Sequence, residues 1–245
     1  MITVIHSISP TNSGDDMTTT SVPSFNQQQT DAAFELAARY RLITETALCA
    51  FRPELFRKPP VARAALKELA RAGALSEVAL YCNRKCYLPI DSMADKPDLS
   101  ETAKIRTYAM LAVCAAQNGR RTKLTREEFR QYFSDAYRPG LPMNYYIDLT
   151  NEQPVLGFVR VDTGGAARWD RIVAKAQDDV RKHRLTPAFT RFVTRNAFEI
   201  RIVTALPQKA DRIRRSLLDK QTTRAVPIHV SAVPELINLI APLPS

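Results

Sequence analysis

The chain has 245 residues, 45% of them hydrophobic, and its 35 Lys and Arg against 25 Asp and Glu give a net charge of +10. This length suits two modest domains, each with a core of its own. The sequence has no run of about 18 apolar residues and no basic N-terminal region before an apolar segment, which argues against a membrane helix or a signal peptide. Four scattered cysteines are too few for a disulfide scaffold and fit a reducing compartment. We therefore expect a cytoplasmic protein with no membrane partner, and the basic charge predicts that it is associated with the nucleoid.

The N-terminal segment, residues 1–29, is rich in Ser, Thr, Asn and Gln and contains no Lys or Arg. It lacks the apolar surface that a fold requires, and we expect a disordered tail. An amphipathic helix is predicted from Asp31 to Tyr40, at the start of a first domain that spans residues 30–90.

The stretch from Leu42 to Pro89 has the order of elements of a winged helix-turn-helix. Thr44 is predicted to cap a short helix, and a basic helix is predicted from about Pro60 to Ala72, followed by Gly73 in a left-handed conformation. Two strand-prone segments then flank a polar turn. We expect the basic helix to enter a DNA groove and the hairpin to touch the backbone beside it.

Seven cations of this domain are the predicted DNA contacts. They are Arg57, Lys58, Arg63, Lys67, Arg71, Arg84 and Lys85. Cations that recur every four residues along a helix also occur on ordinary solvated faces, and a helix-turn-helix can bind proteins instead. Basic helix, glycine break and basic-tipped hairpin occur here in the expected order, which favours DNA.

Residues 91–99 are polar and contain a proline, which predicts a linker before a second domain at 100–245. There, Ser100 and Thr125 are predicted helix caps, and strands are predicted at Asn144–Leu149 and Pro154–Asp162. Further helices are expected at 166–184, 187–194, 207–220 and 234–240, and strands at 199–205 and 226–231. The predicted fold class is α/β (α+β), a small mixed sheet with flanking helices. No cofactor is predicted, and Cys82 and Cys86 lack the second ligand pair that a zinc site needs.

Two carboxylates raise the question of nuclease chemistry in this domain. Asp148 and Asp162 end neighbouring strands, as in a PD-(D/E)XK core, where they would hold a divalent metal with Lys175 or Glu152 nearby. Arg160 occupies the place of an expected acidic ligand and would repel a metal. An ion pair between Arg160 and Asp162 explains the pattern equally well. His183, near a helix C-terminus, is expected to cap that helix or to contact phosphate.

The chain from about Asp31 to Ile240 resembles the replication-relaxation family of plasmids and conjugative elements. The resemblance is carried by RLITETAL, AALKELARAGAL, the aromatic hairpin, FVRVDTGG before a helix, and IRIVTAL. It implies a winged helix joined to a restriction-endonuclease-like domain, with a role in DNA relaxation or mobilisation. Family members carry an acidic residue where Arg160 stands, and its replacement argues against inherited cleavage.

Three functions remain open at this point. The first is a non-enzymatic DNA-binding protein of a mobile genetic element, a transcriptional regulator or an accessory to DNA mobilisation or replication. It would bind double-stranded DNA as a homodimer and cooperate with relaxase or replication proteins. The second is a metal-dependent nickase that uses Asp148, Asp162 and Lys175. The third is an adaptor in which the winged helix binds a protein.

Overall fold

A computed structural model describes residues 25–79, 85–90, 99–150, 152–164, 169–219 and 226–237. Within these ranges the protein has eight α-helices and two sheets, one of two strands and one of five. The predicted mixed α and β class is therefore confirmed. None of the helices in the described ranges has the length and apolar character that crossing a membrane requires.

The first part of the chain folds as three helices and a hairpin. The elements are α1 Phe25–Tyr40, α2 Glu45–Phe51, α3 Pro59–Arg71, β1 Leu75–Ala79 and β2 Lys85–Pro89. Helix α1 begins earlier than predicted, so residues 25–29 are helical and do not belong to a disordered tail. The reason is burial: Gln29 is buried and donates its amide to the carbonyl of Leu55 at 3.0 Å.

Local sequence explains the ends of these helices. Thr44 caps α2 by accepting a hydrogen bond from the amide of Ala47. Gly73 has a φ of 74°, which allows the chain to leave α3 through a left-handed residue. The chain just before α2 also joins the hairpin, since Ile43 and Tyr87 exchange two backbone hydrogen bonds of 2.9 Å. The caps and the glycine break were predicted correctly.

The second part contains five helices and the larger sheet. Its elements are α4 Glu101–Ala115, β3 Arg121–Lys123, α5 Arg126–Tyr132, β4 Tyr145–Asp148, β5 Val155–Val161, α6 Trp169–Leu185, α7 Pro187–Thr194, β6 Phe198–Thr204, α8 Pro207–Asp219 and β7 Ile228–Ala232. The strand order is β3-β4-β5-β6-β7. Neighbours are antiparallel from β3 to β5 and parallel from β5 to β7.

Two details of this part differ from the sequence prediction. Strand β3 was not predicted, because three polar residues carry no hydrophobic alternation and are fixed only by pairing with β4. The predicted closing helix at 234–240 is a single 3₁₀ turn at Pro234–Leu236, and residues beyond 237 lie outside the described ranges. The capping residues Ser100 and Thr125 act as predicted, and Thr125 forms a full capping box with Glu128.

Helices cover the sheet on both faces. Tyr146, Val159 and Val203 lie on the face that packs against α4. On the opposite face, Ile202 packs with Val173 of α6 and Ile213 of α8. A second apolar cluster around Tyr145, with Phe129 and Phe189 among its members, joins α5 and α7 to the sheet.

One apolar core spans both parts of the chain. It runs from Leu48 and Leu66 in the first part, through Leu111 of α4, to Val203 on the sheet. A polar link lies beside it, because the guanidinium of Arg39 on α1 donates to both carboxylate oxygens of Glu128, at 2.8 and 2.9 Å. Residues 91–98 of the predicted linker lie outside the described ranges, but the predicted domains share this core.

The close approach of Tyr146 to the sheet depends on Gly157. The two residues are paired across β4 and β5, and the aromatic ring lies over the glycine. A Cβ atom at position 157 would overlap three carbon atoms of the Tyr146 ring. The absence of a side chain at 157 therefore allows the ring to pack flat.

We expect Gly157→Ala to lower the free energy of unfolding by about 1–3 kcal/mol, because the ring cannot move without disturbing the α4 interface. Urea unfolding measures this change. In a Tyr146→Leu background the same substitution should cost clearly less, as expected for residues in direct contact. Equal costs in the two backgrounds would show that the overlap is not the cause.

Candidate nucleic-acid interface

Helix α3 has a buried side and a basic side. Ala62, Ala65 and Leu66 are buried against the neighbouring elements, and the opposite side of the helix faces solvent. Prolines at the first two helical positions start the helix without leaving an amide unpaired. Spacing of four residues places Arg63, Lys67 and Arg71 in one row on the solvent side. We define the α3 surface as Arg57, Lys58, Arg63, Lys67 and Arg71.

The α3 surface contains cations in two different states. Arg63 donates Nε to one oxygen of Glu45 at 2.7 Å and a terminal nitrogen to the other at 3.0 Å, although half of its side chain stays exposed. The remaining four members are exposed and have no ion pair within the residues that the structure describes. The predicted base-reading arginine is therefore held by a carboxylate of α2, and its neighbours on α3 are available to solvent.

The hairpin next to α3 carries one of the two predicted basic residues in the described ranges. Lys85 forms an ion pair with Glu77 on the opposite strand, and the hydroxyl of Tyr87 donates to the same carboxylate at 3.3 Å. The hydrogen bond from Lys85 keeps the pKa of Glu77 below its ordinary value, since it stabilises the charged form. Arg84 lies outside the described ranges, as does Cys82.

Asp148, the first predicted nuclease carboxylate, is engaged in a structural ion pair. It is buried, and one oxygen accepts Nε of Arg121 at 2.6 Å. The other oxygen accepts the amide of Thr150 at 2.8 Å. Burial alone would raise the pKa of Asp148, but these bonds and the charge of Arg121 hold it below its ordinary value.

Asp162, the second predicted carboxylate, lies at the other end of the sheet. One oxygen is 2.7 Å from Nζ of Lys209, and both side chains are almost fully buried. Thr204 donates its hydroxyl to the same oxygen at 3.0 Å. Asp148 pairs with Val155 at the start of β5, whereas Asp162 follows its end. Seven residues of extended strand separate the two positions, about 23 Å.

The structure therefore does not bring Asp148 and Asp162 together. The prediction failed because antiparallel strands joined by a hairpin have their C-terminal ends at opposite edges of the sheet. The alternative pairing of Arg160 with Asp162 is also wrong, since Arg160 binds Asp179 of α6. Lys175 lies exposed on α6. Among the described residues, no group of three or more His, Cys, Asp or Glu side chains could hold a metal ion.

His183 is part of the apolar core and not a surface cap. Its Nε2 is 2.9 Å from the hydroxyl of Tyr145, and its Nδ1 is 2.7 Å from the backbone oxygen of Asp179. Phe189 and Phe198 pack around the ring. Burial lowers the pKa of His183 because it disfavours the charged imidazolium. The expected contact with phosphate is wrong.

Sequence reasoning missed a polar cluster on the α4 face of the sheet. Glu199 on β6 accepts a hydrogen bond from Tyr146, and it lies 3.2 Å from Arg201 and 3.1 Å from Nε2 of His229 on β7. Alternation along β6 places Glu199 and Arg201 on one face, which the sequence does signal. The partners on β4 and β7 depend on strand order and register, which the sequence does not give.

Comparison with protein family models, curated proteins and solved structures found no match to this chain. The resemblance to the replication-relaxation family therefore stays a prediction from the sequence motifs. Among the described residues, the exposed cations of the α3 surface point most directly to a ligand.

We expect Glu199 to contribute a stability that disappears in acid. Burial alone would raise its pKa, but hydrogen bonds from His229 and Tyr146 and the charge of Arg201 lower it from 4.5 to about 2. The contribution is complete above about pH 4.5 and is lost as the pH falls toward 2, on the order of 3 kcal/mol in total. Comparing urea unfolding of the wild type and Glu199→Gln at several pH values measures it. A gap between the two proteins that does not narrow below pH 4.5 would contradict this assignment.

We expect Asp162→Asn to lower the free energy of unfolding by about 3–5 kcal/mol, because the substitution removes the carboxylate that lies 2.7 Å from Nζ of buried Lys209. Asp178→Asn is the matched control, since its partners Arg181 and Lys182 are largely exposed. The control should cost less than about 1 kcal/mol. Thermal and urea unfolding measure both changes, and similar losses in the two variants would refute a special role for the buried pair.

Proposed function

We propose that this protein binds double-stranded DNA through a winged helix-turn-helix formed by α1, α2, α3 and the β1–β2 hairpin. The observation that carries the proposal is the two-sided character of α3. One side packs into the core through Ala62, Ala65 and Leu66, and the other presents a row of cations to solvent. Such a helix is held rigidly by the protein and remains accessible to a ligand along its whole basic side.

The dimensions and charge of α3 suit a DNA groove. Thirteen residues give a helix of about 20 Å. The major groove of B-DNA, about 12 Å wide, accepts one α-helix, whose side chains then reach base edges or flanking phosphates. Arg57 and Lys58 precede the helix and Lys67 and Arg71 lie along it, so phosphates on either side of the groove find a cation. The hairpin packs beside α3, and Lys85 could contact the adjacent backbone by exchanging Glu77 for a phosphate.

Arg63 gives this surface a component that differs from simple charge attraction. Its guanidinium fork is already satisfied by both oxygens of Glu45. To reach a base, Arg63 has to exchange that partner for another that offers two acceptors. Lys67 and Arg71 make no such exchange, which supports phosphate contact for them and a reading role for Arg63.

The wider role that we propose follows from the resemblance and from the charge distribution. The protein acts in a mobile genetic element, as a transcriptional regulator or as an accessory to DNA mobilisation or replication, together with relaxase or replication proteins. A homodimer would match a palindromic site. The positions of Asp148 and Asp162 do not favour the nickase alternative, because neither carboxylate can share a metal ion with the other.

We expect the Lys67→Ala, Arg71→Ala double variant to lose about tenfold in duplex affinity and to reduce the slope of affinity against salt by about two units, one for each lost phosphate contact. Fluorescence anisotropy with genomic fragments at several salt concentrations measures both quantities. The Arg106→Ala, Arg130→Ala variant, which removes the same charge from exposed positions on α4 and α5, should bind like the wild type. Equal losses of duplex affinity in both variants would show that only the net charge matters and would contradict a specific α3 surface.

We expect Glu45→Gln to raise affinity for non-specific duplex, because it removes a negative charge next to the α3 surface and releases Arg63 from its ion pair. A few-fold increase, about three- to tenfold, is the expected size for one fewer repulsive charge. Glu101→Gln is the control, since this exposed carboxylate pairs with Lys104 on α4. An unchanged affinity in Glu45→Gln, measured in the same titration, would show that Arg63 is not held back from DNA.

A further inference from the structure

Helices α6 and α8 form the outer layer on one face of the sheet. They pack on each other and on the sheet through Ile172 and Val173 of α6 and Ile213 and Leu217 of α8. The sides opposite these buried residues face solvent. We call the exposed cations Arg171, Lys175, Arg212 and Arg215 the α6/α8 surface.

The α6/α8 surface is strongly basic after local pairing is taken into account. The two helices carry nine Lys and Arg and five Asp and Glu. Asp178 is already engaged by Arg181 and Lys182, and Asp211 by Arg214. The four members of the surface, in contrast, have no ion pair within the ranges that the structure describes. Exposed Asp170, beside Arg171, offsets one of these charges, and the cations that remain on the two packed helices attract a polyanion.

The α6/α8 surface and the part of the chain that carries the α3 surface lie on opposite faces of the five-stranded sheet. Helix α4 contacts the face of the sheet that carries Val159 and Val203, while α6 and α8 cover the other face. Helices α1 and α2, against which α3 packs, contact α4 and so lie on the α4 side of the sheet. A sheet with one helix layer on each face is on the order of 30 Å thick. The sheet and its helix layers therefore stand between the two surfaces.

We propose that the protein holds two DNA segments at once, one on the α3 surface and a second on the α6/α8 surface, and so bridges them. The proposal rests on the proposed DNA binding by α3 and adds a second, independent site. The second site recognises phosphate, because its cations are long, flexible and spread over two helices without a groove-fitting element of their own. It therefore binds DNA without sequence preference.

A capture experiment tests the bridge. The genomic fragment that binds most tightly in the anisotropy titration is biotinylated, immobilised and saturated with full-length protein at about 150 mM salt. After a wash, a fluorescent second duplex of unrelated sequence is added. The test variant is Lys175→Glu, Arg212→Glu. The matched control is Arg106→Glu, Arg130→Glu, which changes the net charge equally at exposed positions on α4 and α5. The Lys67→Ala, Arg71→Ala variant monitors the α3 surface, and circular dichroism verifies that every variant is folded.

The wild type and the control should capture the second duplex. The test variant should bind the immobilised duplex as the wild type does but capture about tenfold less of the second. A wild type that binds the first duplex and captures none of the second overturns the bridge and leaves the proposed function intact. Capture by the test variant at wild-type level also overturns it, and would assign the bridge to two α3 surfaces of a dimer. Failure of the wild type to bind the first duplex overturns the proposed function itself.

Discussion

The rest of the structure depends on helix α4, whose second half, from Tyr108 to Ala115, carries apolar or aromatic side chains on all sides. Its residues Ile105, Ala109, Leu111 and Cys114 are buried, and they face the first helices of the chain on one side and the sheet on the other. A helix that is hydrophobic all round is stable only inside a core. The first part of the chain, from α1 to β2, and the sheet therefore cannot separate without exposing α4.

Polar contacts fix the geometry that α4 establishes. Arg39 reaches from α1 to both carboxylate oxygens of Glu128, and this same carboxylate accepts the amide of Thr125 at the start of α5. Nζ of Lys123 returns a bond to the backbone oxygen of Arg39 at 3.1 Å. One carboxylate thus caps a helix and joins the two parts. These bonds of Arg39 and Lys123 fix the angle between α1 and the sheet. They thereby hold the α3 surface and the α6/α8 surface at a fixed separation.

The sequence predicts well what depends on neighbouring residues. Thr44, Gly73 and the Thr125–Glu128 box are local devices, and each appears where its pattern indicated. Prediction from the sequence fails where strands that are distant along the chain have to be placed side by side. Asp148 and Asp162 looked like neighbours because both end strands, yet the hairpin sends them to opposite edges. The partners of Glu199 follow from the parallel register of β6 and β7, which no local pattern contains.

The bond between Arg63 and Glu45 has a consequence for selectivity in the proposed complex. An arginine that already binds two carboxylate oxygens gains little from a phosphate, because one anionic pair of acceptors only replaces another. Guanine, with O6 and N7 side by side, offers a matched pair of acceptors. In the proposed complex the carboxylate of Glu45 would therefore compete with DNA for Arg63, and random sequence, which gives Arg63 only phosphates, would gain little affinity from it.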